Sequence, residues 1–322
     1  MSGFEPASMI VPRFEVRLAA PDIRPWREGN TGVPGFTTRA GALPGPHVAV
    51  LALSHGNEIA GAIALDRLLR TGIAPTRGRL TFGFVNIAAF QRFDPRQPTL
   101  SRFVDEDINR VWEAAALDGP RRSNELGRAR EIRPLIDTVD VLLDLHSMLW
   151  ASDPLMLSGG TEKGRRLARG IGVPHLVVAD HGHAGGPRLI DYARFSDPET
   201  RFTANLVEAG QHWEPATVDT ALAAVAGLLR HLRMAPETPA LPPRPRRARQ
   251  RVAEVTQAVT AATGSFAFVQ PWRGGDIIPQ RNTLIALDGG TEIRTPHDEC
   301  LLVMPSLRPS RGHTAVRLAR FL

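Results

Sequence analysis

The stretch LALSHGNEIAGAIALDRLLR, residues 51–70, decides how this chain folds. It begins as an apolar strand and ends as a helix. A short apolar run without polar alternation fits a strand buried on both faces, and such strands belong to parallel sheets covered by helices. At the join stand His55, Gly56, Asn57 and Glu58, which set an imidazole and a carboxylate close together at the open end of a buried strand.

The same alternation of strand and helix extends outward from that join. HVAVLALS (residues 47–54) leads into the helix that starts near Glu58. RLTFGFVN (79–86), the helical NELGRAREIRPLIDTV (124–139) and the apolar VLLDLHS (141–147) follow. Then come PLMLSG (154–159), a helix around EKGRRLARGIG (162–172), HLVVAD (175–180), ANLVEAG (204–210) and the long helical VDTALAAVAGLLRHL (218–232). This order predicts an α/β fold with a mostly parallel or mixed sheet flanked by helices. The composition changes at PETPALPP (236–243) and the basic run RPRRARQR (244–251), which together read as a solvated Pro/Arg-rich linker. Beyond it, short turn-punctuated runs such as GSFAFVQ, TLIALDGG, TEIRTP and CLLVMPS predict a small all-β domain. The expected partition is therefore a catalytic α/β domain over 1–237, a linker over 238–250 and a β domain over 251–322.

Composition narrows the function classes. The chain has 322 residues, 43% hydrophobic and 22% charged, ordinary values for a soluble globular protein. No apolar run approaches the ~20 residues of a membrane span. The N-terminal MSGFEPASMIVPRFEV lacks a basic start followed by an apolar core, so a cytoplasmic location is the default expectation. Cys300 is the only cysteine, which excludes an internal disulfide and any thiolate metal cluster. The net charge is +6, yet it is carried almost wholly by arginines spread along the chain, with Lys163 the only lysine. That distribution argues against a nucleic-acid partner.

In open α/β sheets, ligands bind beyond the carboxyl ends of the strands. His55 and Glu58 follow one predicted strand, His146 ends a second in LLDLHSM, and Glu208 lies near the end of a third in NLVEAGQHW. A histidine after one strand is an ordinary loop residue, but two histidines and two carboxylates delivered to one edge call for a common explanation. A catalytic zinc takes three protein ligands and keeps a position for water, and a short-spaced His and Glu with a distant His suits it. Asp144, two residues before His146, points to the same side of its strand and can orient the imidazole.

SHGNE (54–58), DEDINRVW (105–112), DLHS (144–147) and VEAGQ (207–211) resemble, in order, the motifs of the succinylglutamate desuccinylase and aspartoacylase family, a branch of the zinc carboxypeptidase fold. The resemblance implies one zinc ion held by His55, Glu58 and His146, with Glu208 as the catalytic carboxylate. It implies that Asn109 and Arg110 grip a substrate carboxylate and that Arg102 polarises the scissile carbonyl. It also implies a small β domain after the catalytic one. The competing reading of Arg102 and Arg110 is surface ion pairing with Asp105, Glu106 or Asp107.

Some positions depart from the family pattern. After the histidine, where relatives of aspartoacylase have a threonine-rich run, this chain reads HSMLWASDP. Family members also use a tyrosine from the C-terminal domain, but the only tyrosine here is Tyr192, which precedes Glu208. The family arginine shortly before the catalytic glutamate has two candidates, Arg194 and Arg201. DHGHAGGPRLIDYARF (180–195) carries His181 and His183 in a glycine-rich loop of the kind that often acts as a lid or substrate contact. His212 is a candidate for the pocket wall. The remaining histidines, including His47, are expected to be structural or exposed.

The expectation is a zinc-dependent amidohydrolase that removes an acyl group from a small N-acylated amino acid or a related carboxylate-bearing amide. Alternatives are a zinc carboxypeptidase on short peptides, a deacylase of an acylated small amine and, last, a non-catalytic binding protein. A homo-oligomer is compatible with the sequence.

Overall fold

The computed structural model describes residues 14–183, 185–243 and 249–322. Residues 1–13 of the N-terminal stretch MSGFEPASMIVPRFEV and most of the basic run at 244–251 lie outside the described residues.

The strands are β1 (Phe36–Ala40), β2 (Leu43–Ala52), β3 (Arg77–Phe84), β4 (Val141–Met148), β5 (Leu155–Leu157), β6 (Leu176–Ala179) and β7 (Thr203–Gln211) before the linker. After it come β8 (Arg251–Thr260), β9 (Phe266–Phe268), β10 (Ile277–Ile278), β11 (Leu284–Asp288), β12 (Thr291–Arg294), β13 (Cys300–Val303) and β14 (Thr314–Phe321). The helices are α1 (Ile59–Arg70), α2 (Ile87–Phe90), α3 (Ala114–Leu117), α4 (Asn124–Ile136), α5 (Glu162–Ile171), α6 (Ala193–Ser196) and α7 (Pro215–His231). None of the described helices is long and apolar enough to cross a membrane.

The parallel strands β3, β2, β4 and β7 form the middle of an eleven-stranded sheet ordered β1-β3-β2-β4-β7-β5-β6-β8-β14-β13-β10. β2 is unbroken in its apolar character because both of its faces are covered. Val48, Val50 and Ala52 pack under α1 and α7 with Leu65, Leu68, Val225 and Leu229. Ala49 and Leu51 face the opposite way, toward Leu126, Ala129 and Ile132 of α4. All five strand residues are fully buried. At about 1.5–3 kcal/mol for burying each large aliphatic side chain, this two-sided packing fixes the strand's register and the place where it ends.

The C-terminal β region is present, and it is joined to the rest more closely than its composition suggests. β8 pairs in parallel with β6, Leu176 opposite Arg251 through Ala179 opposite Glu254, so the main sheet continues past the linker through β14 and β13 to β10. A second sheet, β12-β11-β9, covers a separate apolar cluster around Ile285, Cys300, Leu302, Val316 and Leu318. The boundary at 238–250 is therefore a break in composition across which backbone hydrogen bonding is restored. One consequence is that side chains of β14 come within reach of the carboxyl end of β6.

Candidate metal centre and active site

β2 stops at Ala52 because Leu53 adopts a left-handed conformation, φ 62°. A branched aliphatic residue there costs ~1–3 kcal/mol, and such strain persists where surrounding structure imposes it. The turn carries His55 back over the sheet edge. Gly56 is needed because of close approach: a Cβ would lie 2.4 Å from Phe90 N and 2.5 Å from Ser101 O. Glu58 then occupies the N-cap of α1 and makes no capping bond. An N-cap side chain that accepts a helix N–H is worth ~1 kcal/mol, and Glu58 forgoes it to turn toward the histidines.

His55, Glu58 and His146 are all buried and present donor atoms within 4.8 Å of one another. His55 Nδ1 is 2.7 Å from Glu58 Oε1, and His146 Nδ1 is 3.0 Å from Glu58 Oε2. Each ring has a separate carboxylate at its other nitrogen. Asp107 Oδ1 is 2.9 Å from His55 Nε2, and Asp144 Oδ2 is 2.8 Å from His146 Nε2. Asp144 is fully buried and also accepts from Ser54 Oγ at 3.2 Å. A neutral imidazole carries one N–H. Arg102 Nη2, a donor only, also lies 2.9 Å from His55 Nε2, so the contacts of that ring do not by themselves fix its proton. Two imidazoles and a carboxylate gathered this closely in a buried site nevertheless fit a cation, which would take one nitrogen of each ring. Two imidazoles and one carboxylate suit zinc. The same demand appears in the ionisation of the groups. Against the upward push of burial, the two imidazoles hold Glu58 well below the usual carboxylate range. Against the downward push of burial, Asp144 and Glu58 raise His146 well above the usual histidine range.

Glu208 lies directly opposite His146 in the β4–β7 register. It is buried, and its Oε2 has no hydrogen-bond partner. Burial, and then the charge of Glu58, push its carboxyl up to about 8. A cation at Glu58 removes the second of those causes. Ser147 donates its N–H to Glu58 Oε2 at 3.0 Å, and its Oγ lies 2.6 Å from Nδ1 of the buried His212, which therefore does line the site wall. Burial pushes the His212 imidazole down to about 4.

The segment 102–110 forms the other wall. Arg102 reaches Glu58 Oε1 at 3.2 Å and Asp107 Oδ2 at 3.4 Å. Asn109 is buried, and its Oδ1 accepts from Leu189 N at 2.7 Å. Arg110 donates to its neighbour's main-chain carbonyl, Asn109 O, at 2.5 Å, and lies 3.9 Å from Asp107. Ion pairing with Asp107 is thus part of the environment of both arginines, within the site rather than on an outer surface.

Other expectations are corrected. Neither Arg194 nor Arg201 faces the site. Arg194 donates to Val139 O at 2.8 Å and stacks on Phe202, while Arg201 pairs with Asp140 at 3.0 Å, both at the far end of the strands. Tyr192 is also remote, its hydroxyl donating to Asp137 at 2.9 Å. The buried arginine nearer the site is Arg188, bound by Asp180 and Asp191. His181 is mostly exposed, whereas His183 is half-buried and accepts from Gly185 N at 2.9 Å.

A further residue escaped the sequence motifs. Glu125, on the buried face of α4 and fully buried, accepts from the backbone N–H groups of Val104, Asp105 and Glu106 at 2.6, 3.0 and 3.2 Å and from Asn86 Nδ2 at 3.0 Å. It therefore pins the loop that delivers Asp107, Asn109 and Arg110. Its signal in the sequence is a carboxylate on the same helix face as Leu126, Ala129 and Ile132.

This geometry has relatives. Residues 44–234 match the succinylglutamate desuccinylase/aspartoacylase catalytic domain. An aspartoacylase from Xenopus tropicalis is 28% identical over 121 residues, spanning 35% of this chain and 37% of that relative's length. A succinylglutamate desuccinylase structure from Vibrio parahaemolyticus superposes with a TM-score of 0.67 at 15% identity, covering 90% of this chain and 86% of its own. A succinylglutamate desuccinylase/aspartoacylase structure from Rhodobacter sphaeroides gives 0.64 at 20% identity, covering 90% and 89%. With residues 44–234, more than half of the chain, matching the family's catalytic domain, and the fold shared through the C-terminal strands, the chain belongs to the succinylglutamate desuccinylase/aspartoacylase family of amide-cleaving deacylases.

Proposed function

We propose that the protein is a zinc-dependent deacylase of small N-acylated amino acids or related carboxylate-bearing amides. The observation that carries this reading is the convergence of two buried imidazoles on Glu58 beside a buried carboxylate on the next strand whose Oε2 has no partner. His55, Glu58 and His146 would hold the ion. When bound there, zinc supplies Lewis acidity and brings the ionisation of water down to ~7.

The remaining chemistry belongs to the chain. Asp107 and Asp144 lie against the Nε2 atoms of the two imidazoles and orient the rings so that Nδ1 faces Glu58. Arg110 offers a planar fork to a substrate carboxylate, and Asn109 can add its Nδ2, since its Oδ1 is already engaged. Arg102 stands beside Glu58, where its N–H groups can meet negative charge developing on the scissile carbonyl oxygen. Glu208 Oε2, free of other partners, takes a proton from the attacking water and returns it to the departing amine nitrogen. Amine expulsion needs that proton.

The test is a hydrolysis screen of zinc-loaded protein across N-acetyl, N-succinyl and longer N-acyl amino acids with short peptides alongside, repeated with Glu208→Gln. Cleavage of acyl amino acids is expected, with the variant retaining its metal and losing ~10²–10⁴ in rate. Preferential cleavage of peptides would identify a carboxypeptidase instead, and near-normal kcat in Glu208→Gln would assign the proton to another group.

A further inference from the structure

Arg317 lies within β14, in the C-terminal β region, with its side chain only 10% exposed. A guanidinium removed from water carries a penalty of several kcal/mol unless it is hydrogen-bonded to an anion. The carboxylate beside it, Asp180, is 3.9 Å from Nε, beyond hydrogen-bond reach. Both Asp180 oxygens are already taken by Arg188, at 2.8 Å each.

Arg110 is in the same condition. Asp107 is 3.9 Å from it and is engaged by His55 and Arg102, so the hydrogen bond Arg110 makes goes to a neutral carbonyl. The two cations flank one loop. Gly186 is pressed so closely on Arg110 that a Cβ would stand 2.2 Å from its carbonyl oxygen, and a Cβ on Gly185 would be 3.6 Å from its Cδ. On the other side His183 Nε2 lies 3.4 Å from Thr314 Oγ1 of β14, three residues before Arg317. Burial first, then the charges of Arg102, Arg188 and Arg317, pull Arg110 down to about 10, so Arg317 is close enough to be felt. Its charge is also felt at Glu208, on the side of the reacting carboxylate.

We infer that Arg317 and Arg110 form an anion clamp closing across the junction between the α/β sheet and the C-terminal strands, which holds a substrate carboxylate remote from the scissile amide. This rests on the deacylase reading for the identity of the ligand, and it deepens that reading by making the C-terminal strands part of substrate selection. A β strand presents alternate residues to one face. In β14 the next residue on the face of Arg317, Ala319, is small and buried against the α/β core, whereas Val316 and Leu318 face the separate C-terminal cluster.

Arg317→Gln keeps a hydrogen-bond donor while removing the charge and shortening the side chain, and Arg317→Lys keeps the charge and most of the length without the planar fork. Calorimetric titration of succinate into the zinc-loaded full chain should give at least ~10-fold weaker binding for Arg317→Gln, with Arg317→Lys between the two, and unchanged far-UV circular dichroism. For any N-acyl amino acid that the wild type cleaves, Arg317→Gln should raise KM for the acid far more than for its carboxamide. Equal succinate affinity in all three proteins overturns the clamp, as does a wild type that binds no succinate. The titration needs no turnover, so absence of amide hydrolysis in the screen would reject the deacylase reading while the clamp is still judged by binding.

Discussion

Glu125 permits the most quantitative test of how the site is held. Its carboxylate accepts from Val104 N and Asn86 Nδ2 on Oε1, and from Asp105 N and Glu106 N on Oε2. Glu125→Gln preserves the shape but turns one oxygen into an NH₂ group. Whichever way the amide is oriented, two donors then face another donor instead of an anionic acceptor. Hydrogen bonds to a charged group are each worth ~1.5–3 kcal/mol, so the loss is about 3–6 kcal/mol, a large share of a domain's usual ~5–15. Equilibrium urea unfolding of wild type and variant measures this. Glu131, half-exposed on the same helix and paired with Arg128, supplies the control, since Glu131→Gln should stay within ~0.5 kcal/mol. Because the pinned loop leads directly into Asp107, Asn109 and Arg110, Glu125→Gln should also raise KM for a carboxylate substrate more than it lowers kcat. A stability loss below ~1 kcal/mol would show that water or a neighbouring group takes over the orphaned N–H groups. A large loss with unaltered KM would show that the substrate wall is fixed by other contacts, such as Asn109 to Leu189.

Two further outcomes follow from the same geometry. His146→Ala removes one of the two imidazole donors and should abolish stoichiometric zinc in the purified protein; equal metal in wild type and variant would reject the ligand assignment. Glu208 has its folded pKa raised from 4.5 to about 8. The folded state therefore keeps a proton that the unfolded chain has released, and metal-free protein should lose stability as pH rises through that window. Glu208→Gln should flatten that part of the dependence. Parallel Tm-against-pH curves for chelator-treated wild type and variant would contradict it.

The parts of the site that could be read from the sequence are those fixed by local spacing and by the rule that ligands gather at strand ends. His55 and Glu58 are three residues apart across a turn, and His146 and Glu208 sit in ladder register because their strands are neighbours. Asp144 followed from the two-residue period of a strand, and its 2.8 Å contact with His146 Nε2 is what that period dictates. Counting along the chain failed where direction mattered. Arg194 and Arg201 precede Glu208 closely in sequence, but they enter β7 at its opposite end. Five residues of strand from Thr203 to Glu208, at about 3.3 Å each, put roughly 16 Å between that end and the site. Arg188, Arg317 and Glu125 were not legible for a different reason, because their roles arise from tertiary neighbours far away in sequence. Arg317 in particular reaches the site only because β8 pairs with β6 and carries the main sheet past the linker, a join that composition, with its abrupt change at residue 238, conceals.

The locally unfavourable features of this molecule are concentrated at one sheet edge. Leu53 is left-handed, α1 begins without a side-chain cap, two buried imidazoles crowd one buried carboxylate, and Glu208 Oε2 is buried without a partner. Elsewhere the same chain obeys ordinary rules: Ser123 caps α4 and Thr161 caps α5 through their hydroxyls, and Gly172 ends α5 in a left-handed conformation. Natural sequences that break several local rules together tend to do so at functional sites. Here the exceptions have one resolution in common. A cation between His55, Glu58 and His146 would take one nitrogen of each ring, lower the repulsion between Glu58 and Glu208, and make use of the carboxylate that α1 does without as a cap. The strain at Leu53 turns His55 toward Glu58 and His146, so the least comfortable backbone, just past β2, and the convergence of these three side chains have the same origin.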